Sequence, residues 1–290
     1  MIIRPLYLEA YTEYSWVYAA DMRLERAALE TGPKFWEHFL LHFSMLHGVV
    51  PEEVLKYASS SILAPGWSLS LEWQFYILAP FIIFLLRKNV IVGLTTCLGA
   101  LCLWYVATHQ SEFTWMYPSF LPLSIQYFLI GISSRFLMEK SERGVLKFFW
   151  VFVLAISALF ADWLSLVIWG ATFIAITSET GMIKLPYMGL RIKDFVFGDS
   201  FVRVLGQWSY STYLVHILLF SIVVGGFSIL AGGGISHMTA VFLVGISLVL
   251  TIPISWVSYT YIERPFARFG SKVAASIAAN RSLNARTHSG

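Results

Sequence analysis

The sequence predicts an all-α fold, a polytopic transmembrane helix bundle with about seven to nine membrane helices. The first observation is composition: 57% of the 290 residues are hydrophobic and 13% are charged, whereas soluble domains carry about 25% charged residues. The second is a series of apolar runs long enough, or nearly so, to cross a bilayer. The third is that basic residues collect in alternate connections between these runs. We place the runs at 68–86, 90–108, 118–138, 145–161, 163–179, 210–231 and 238–262.

The chain before the first run has no clear membrane span. Residues 1–20 include Glu9 and Glu13, so we expect a helix shielded by its neighbours or one in the membrane interface, and no cleavable signal peptide. Residues 35–50 are apolar but short for a full crossing, and we expect them to lie in the interface or to enter the membrane and return.

Three histidines, His38, His42 and His47, fall within this short apolar segment. The spacing of His38 and His42 would put both imidazoles on one side of a helix, as in some zinc sites. The acid that completes a His-Glu-x-x-His site is absent from the segment. We therefore predict no metal site.

The stretch Gly66–Pro80 carries the strongest functional signal, because an acid lies about one turn inside an apolar run. That acid, Glu72, is a functional candidate by default, since a charge in the membrane is costly. Ser70 and Gln74 lie on nearly the opposite side of the helix. A helix start with a capping serine and an interfacial tryptophan is the alternative, but it does not account for both Glu72 and Gln74.

The distribution of basic residues predicts the topology. The connections 109–117, 161–162 and 232–237 contain no lysine or arginine, whereas the alternate connections do. The positive-inside rule then puts the basic connections and the C-terminus in the cytoplasm, Glu72 near the outer surface and His216 towards the inner one. Because the basic residues serve as topology determinants, the net charge of +3 does not indicate a nucleic-acid partner.

A second group of polar residues opens the sixth run, within Leu205–His216. Ser209, Tyr213 and His216 share one helical face at i, i+4 and i+7. An imidazole there could act as a base, an acid or a hydrogen-bond donor. It could equally hydrogen-bond a neighbouring helix or orient a substrate.

A third group, Tyr261–Phe266, ends the last run, and we expect Pro265 to stop the helix. Glu263 and Arg264 fit an interfacial anchor, or a contact with an anionic cofactor, for which arginine suits phosphate.

In this order the three groups resemble the membrane acyltransferase-3 family, the O-acyltransferases that modify bacterial surface saccharides. The first motif, tryptophan-serine-leucine-serine-x-glutamate-x-glutamine-phenylalanine-tyrosine, matches residues 67–76. The second, glycine-x-x-serine-tyrosine-x-x-tyrosine-leucine-x-histidine, matches Gly206–His216, and glutamate-arginine-proline-phenylalanine matches Glu263–Phe266. The resemblance covers about residues 1–268, which we take as one transmembrane domain, followed by a disordered cytoplasmic tail at 269–290.

The resemblance implies acyl-CoA, in most cases acetyl-CoA, as donor, a saccharide or glycolipid hydroxyl as acceptor, and a bacterial inner membrane location. It also implies roughly two more helices before Arg4, which would carry the histidine assigned as the family's base. On this view the chain is N-terminally truncated and inactive alone. The site residues it implies are catalytic Glu72 and His216; substrate-binding Trp67, Ser70, Gln74, Tyr76, Ser209, Tyr210 and Tyr213; and cofactor-binding Arg4 and Arg264.

Two other functions remain open on the sequence. Buried polar groups near both membrane faces could mark the path of a small solute through a transporter, although no internal repeat supports it. A non-catalytic membrane scaffold is the other alternative. Under the acyltransferase reading, Glu72 and His216 enter from opposite faces and are expected too far apart to hydrogen-bond.

Overall fold

The computed structural model describes residues 34–139, 144–179, 200–232 and 235–287. The chain divides into two compact units. The central unit is Ala28–Phe195, and the terminal unit is Met1–Ala27 with Val196–Gly290. The predicted all-α class is confirmed, since every regular element in the described ranges is helical.

Six α-helices are described in the central unit. Asn89, in extended conformation at φ −165°, separates the second helix from the third, and its side chain accepts the Val92 N–H at 2.9 Å. Asp162 separates the fifth from the sixth, accepting the Ser165 N–H at 2.8 Å. These side chains satisfy amide groups that a helix start leaves unpaired. The helices are α1 (Phe35–Phe43), α2 (Trp67–Lys88), α3 (Val90–Tyr105), α4 (Leu121–Leu137), α5 (Val145–Ala158) and α6 (Trp163–Glu179).

The core of the central unit lies between α2, α3, α4 and α5. The Phe136 ring stacks on the buried Trp150 ring with centroids 4.5 Å apart. A β-carbon on Gly93 of α3 would lie 2.6 Å from the Phe149 ring and 2.8 Å from the Leu86 carbonyl oxygen. The close approach of α3 to α5 therefore depends on glycine at this position.

The terminal unit contains four described α-helices and two single π-helical turns. Small polar residues, including Ser221, Ser247 and Ser255, are buried along these helices, as is typical where membrane helices pack closely. Ser236 caps α9 by accepting the Thr239 N–H at 3.2 Å. In chain order the elements are α7 (Ser200–Phe220), a π-turn (Ser221–Gly225), α8 (Gly226–Ala231), α9 (His237–Ser258), a second π-turn (Tyr259–Glu263) and α10 (Arg264–Thr287).

The predicted spans agree with these helices to within a few residues, except that α7 begins ten residues earlier than its predicted run. Four described helices are long and apolar enough to cross a membrane, and α4, α5 and α6 are shorter apolar helices. The length and hydropathy of these helices thus identify the chain as an integral membrane protein. The segments 1–20 and 180–199 lie outside the described residues. The predicted cofactor-binding residue Arg4 belongs to the first of them.

Two expectations at the C-terminal end differ from the structure. Pro265 does not stop the helix: it follows a π-turn, where the ladder of backbone hydrogen bonds is already shifted and a residue without an N–H donor is tolerated, and α10 continues beyond it. After residue 269, where the sequence predicts disorder, α10 continues to Thr287. Alanine, which favours helix most strongly, is the most frequent residue there and outweighs the low hydropathy.

Candidate functional site

The first motif lies on α2, directly after a 3-10 turn at Ala64–Gly66. Its residues divide into two groups by exposure, as the helical spacing predicts. Ser70 and Gln74 are buried, at 0% and 8% exposed. Glu72 is half-buried, and Trp73 and Tyr76 are exposed.

The buried group forms a network that we call the polar clamp, made of Gly48, Ser70, Gln74 and Ser119. The Gly48 N–H donates to Ser70 Oγ at 2.9 Å, and the Ser70 hydroxyl donates to the Met45 carbonyl at 2.7 Å. Gln74 Nε2 donates to the Ser119 carbonyl at 2.8 Å. The Ser119 hydroxyl donates back to the Gly48 carbonyl at 3.1 Å. The clamp therefore joins the turn after α1, the start of α2 and the segment before α4.

Gln74 also fixes the start of α4, because its Oε1 accepts the Leu121 N–H at 2.9 Å. Both ends of its amide are thus bonded to protein atoms. We predicted Ser70 and Gln74 as substrate-binding residues, and that role stays a prediction. What the structure assigns them is positioning: they hold the neighbouring segments against the helix that carries Glu72.

Residues 44–63 and 111–120 form a layer over this end of α2, α3 and α4, which we call the cap. The Glu53 carboxylate accepts the Thr114 N–H at 3.0 Å and the Thr114 hydroxyl at 2.6 Å. Trp115 Nε1 donates to the Val49 carbonyl at 3.3 Å. The Trp67 and Tyr117 rings stack at 5.6 Å, 6° from parallel, so a predicted binding residue packs against the cap.

Glu72 has a different environment from the clamp residues. The Tyr76 hydroxyl lies 3.4 Å from Glu72 Oε2, one turn further along the exposed side of α2. A half-buried carboxylate beside a phenol can accept a hydrogen bond from a hydroxyl-bearing ligand.

The three histidines of the segment 35–50, His38, His42 and His47, make specific contacts within this same end of the central unit. His38 Nδ1 lies 2.8 Å from Ser61 Oγ, with both side chains buried. The His42 and His47 rings stack in parallel with centroids 4.0 Å apart. His47 Nε2 lies 2.9 Å from the Gly66 carbonyl oxygen. Because a carbonyl can only accept, Nε2 carries the proton and Nδ1 of neutral His47 has a free lone pair.

Burial lowers the pKa of His47, chiefly because the charged imidazolium is costly to desolvate. His47 Nδ1 is itself buried, with no hydrogen-bond partner among the described residues. Among all the residues that the structure describes, no group of three or more histidine, cysteine or acidic side chains is placed to hold a metal ion.

The second and third motifs meet within the terminal unit. The Ser211 hydroxyl of α7 donates to Glu263 Oε2 in the second π-turn at 2.9 Å. The Thr212 hydroxyl donates to Ser255 Oγ of α9 at 2.9 Å. One turn further along α7, His216 Nδ1 donates to the Thr212 carbonyl at 3.3 Å, which leaves Nε2 as the acceptor when the ring is neutral.

The remaining predicted residues of the terminal unit lie near this contact. Tyr213 and His216 have ring centroids 6.0 Å apart, and the Ser209 hydroxyl donates to the Gly206 carbonyl at 2.8 Å on the exposed side. Tyr210 and Arg264 are exposed. Since Glu72 and His216 belong to different units, their predicted separation stays a prediction.

Five residues of these networks were missed by the sequence analysis: Gly48, Ser119, Ser211, Thr212 and Ser255. Gly48 and Ser119 lie outside the helix that carries the first motif, and no periodicity connects them to it. Ser211 gave a usable signal, because it falls inside the second motif between the predicted binding residues Tyr210 and Tyr213.

One family model, that of the acyltransferase-3 proteins, matches residues 36–260 and is described as an acyltransferase domain. The match includes the polar clamp, the histidines and both units' helices up to the second π-turn. No curated protein and no solved structure matches the chain.

Proposed function

The chain is a membrane acyltransferase of the acyltransferase-3 family, and we propose that it moves an acetyl group from acetyl-CoA to a hydroxyl of an extracytoplasmic saccharide or glycolipid. The observation that carries this proposal is Glu72, a half-buried acid in a candidate membrane span, held in a helix that the polar clamp fixes in place. An intramembrane acid facing no basic partner in the described contacts suits a ligand rich in hydroxyl groups.

The reaction is acyl transfer to oxygen. The acceptor hydroxyl loses its proton to a base as its oxygen attacks the thioester carbonyl, and the carbon–sulfur bond breaks as the thiolate leaves and is protonated. Hydrogen-bond donors stabilise the tetrahedral oxyanion between these two steps.

In this proposal the first motif serves the acceptor. Glu72 accepts a hydrogen bond from the acceptor hydroxyl or its neighbour, Tyr76 lies beside it, and Trp67 supports the adjoining surface through its stacking on Tyr117 of the cap. Aromatic rings beside a carboxylate are suited to sugars, whose apolar ring faces stack while their hydroxyls hydrogen-bond.

The second and third motifs serve the donor. His216 acts near the thioester through Nε2, while Tyr213, Tyr210 and Ser209 line the approach. Arg264 binds a phosphate of coenzyme A, for which a guanidinium is well suited. Glu263 is already bonded to Ser211, so it orders the turn that precedes Arg264.

The test uses membranes from cells that express the protein from its own locus, supplied with radiolabelled acetyl-CoA. Label should appear in a saccharide or glycolipid fraction. Glu72→Gln should lower this transfer by roughly 10²-fold, as for loss of a positioned polar group in a reaction of this kind, while acetyl-CoA binding is retained. His216→Ala should impair the donor step.

Glu112→Gln is the matched control, since Glu112 is an exposed acid in the 111–120 segment. Equal transfer by Glu72→Gln and Glu112→Gln would contradict the role of Glu72. Absence of any acetyl transfer from acetyl-CoA, with the protein present in the membranes, would contradict the proposed donor and reaction.

A further inference from the structure

Helix α10 continues a membrane helix well beyond the length that a bilayer needs. The uninterrupted helical segment His237–Ile277 has 41 residues, which corresponds to about 60 Å at 1.5 Å per residue. The hydrocarbon core of a bilayer is about 30 Å thick. Roughly half of the segment, including α10, therefore lies outside the hydrocarbon core.

An apolar stripe nevertheless runs along α10. It consists of Phe266, Phe269, Val273 and Ile277, spaced at i, i+3, i+7 and i+11, so the four side chains share one helical face. Their exposed fractions are 73%, 66%, 42% and 51%. Outside the membrane core, two exposed phenylalanines on one face are unusual unless something covers them.

The opposite side of the helix is basic. Arg268 and Lys272 lie one turn apart on this side and are both exposed. Residues 264–290 contain five basic residues and no acidic residue. Continuous with a membrane helix, this segment has the features of an interfacial helix: phenylalanine on one face and lysine and arginine on the other.

We propose that α10 lies along the surface of the leaflet at which α9 ends, with the apolar stripe in the acyl boundary and the basic side among anionic phospholipid headgroups. In this proposal the helix bends at the second π-turn and Pro265, because Pro265 donates no backbone hydrogen bond and π-turns are common kink sites.

Two observations select anionic lipid as the occupant. The charge of the segment is of one sign, and basic side chains near an anionic leaflet are attracted to it. The covalent continuity with α9 holds α10 at the membrane surface, so even a weak attraction acts at high effective concentration. The inference is independent of the acyltransferase reaction, because it needs no substrate.

The test places a nitroxide spin label on the full chain in nanodiscs of phosphatidylcholine with phosphatidylglycerol, in a Cys97→Ala, Cys102→Ser background. Val273→Cys puts the label in the apolar stripe, and Ser271→Cys, about 160° away on the helix, is the matched control. We expect the label at 273 to be accessible to oxygen and shielded from a water-soluble nickel complex. The label at 271 should be accessible to nickel.

A second variant tests the charge. Arg268→Gln with Lys272→Gln removes two attractions and should lower the membrane-bound population by roughly 30-fold relative to the free one in anionic nanodiscs, with little effect in pure phosphatidylcholine. Equal nickel access at 273 and 271 in anionic nanodiscs would overturn the proposal. Spin–spin broadening at 273 between copies would also overturn it, because a second copy would then cover the stripe.

Discussion

Replacing Gly48 by alanine tests the polar clamp most directly. A β-carbon at this position would lie 2.6 Å from the Ser119 carbonyl oxygen and 2.7 Å from Ser70 Oγ. The carbonyl oxygen belongs to backbone that Gln74 also binds, so it cannot move without breaking that contact. The Ser70 hydroxyl can rotate away, but it then leaves the Gly48 N–H and the Met45 carbonyl.

The expected loss of stability follows from these contacts. Adding a methyl group to a packed site costs about 1–3 kcal/mol. Two buried hydrogen bonds are worth about 1 kcal/mol each. The free energy of unfolding of Gly48→Ala should therefore fall by roughly 3–5 kcal/mol, a large part of the ~5–15 kcal/mol that stabilises a typical domain.

The assay is unfolding of the purified protein by sodium dodecyl sulfate in mixed micelles, followed by fluorescence of its 11 tryptophans. Gly99→Ala is the matched control, because nothing lies within 4 Å of a β-carbon there, and alanine favours helix. In a double-mutant cycle with Ser70→Ala, the two losses should be less than additive, since they share the same contacts. A Gly48→Ala loss within about 0.5 kcal/mol of the Gly99→Ala value would refute the close packing described for the clamp.

Two further changes test the histidines and the contact between motifs. Because burial lowers the pKa of His47, the unfolded state binds more protons than the folded state below about pH 6.5. The free energy of unfolding should therefore decrease as the pH is lowered through this range. His47→Gln should flatten this pH dependence more than exposed His109→Gln in the same unfolding assay; equal slopes would contradict it. Ser211→Ala should cost about 1.5–3 kcal/mol, because its hydroxyl bonds the Glu263 carboxylate. A loss equal to that of Ser209→Ala would show that the contact contributes nothing.

The membrane helices could be predicted from the sequence because bilayer thickness and hydropathy together fix their length and position. The two-sided character of α2 was also predictable, since the helical period alone separates Glu72 from Ser70 and Gln74. The structure confirms that separation: Gln74 is buried, while Glu72 is half-buried beside exposed Tyr76.

The contacts between distant residues could not be predicted in the same way. Gly48 bonds Ser119 across 71 residues, and Ser211 bonds Glu263 across 52 residues. Such pairs depend on how the helices pack, and no local pattern of one sequence records it. The helical tail was missed for another reason, because low hydropathy argues against a buried core but does not argue against an exposed amphipathic helix.

The polar clamp also sets an order for biogenesis. Gly48, Ser70 and Gln74 leave the ribosome well before Ser119, and the clamp needs all four. At about 5–20 residues per second, synthesis of the intervening 71 residues takes roughly 4–14 s. For most of that interval Ser70 is already present, but the bonds of Ser119 to Gly48 and Gln74 cannot yet form. The clamp can therefore close only after all of α2 and α3 has been synthesised.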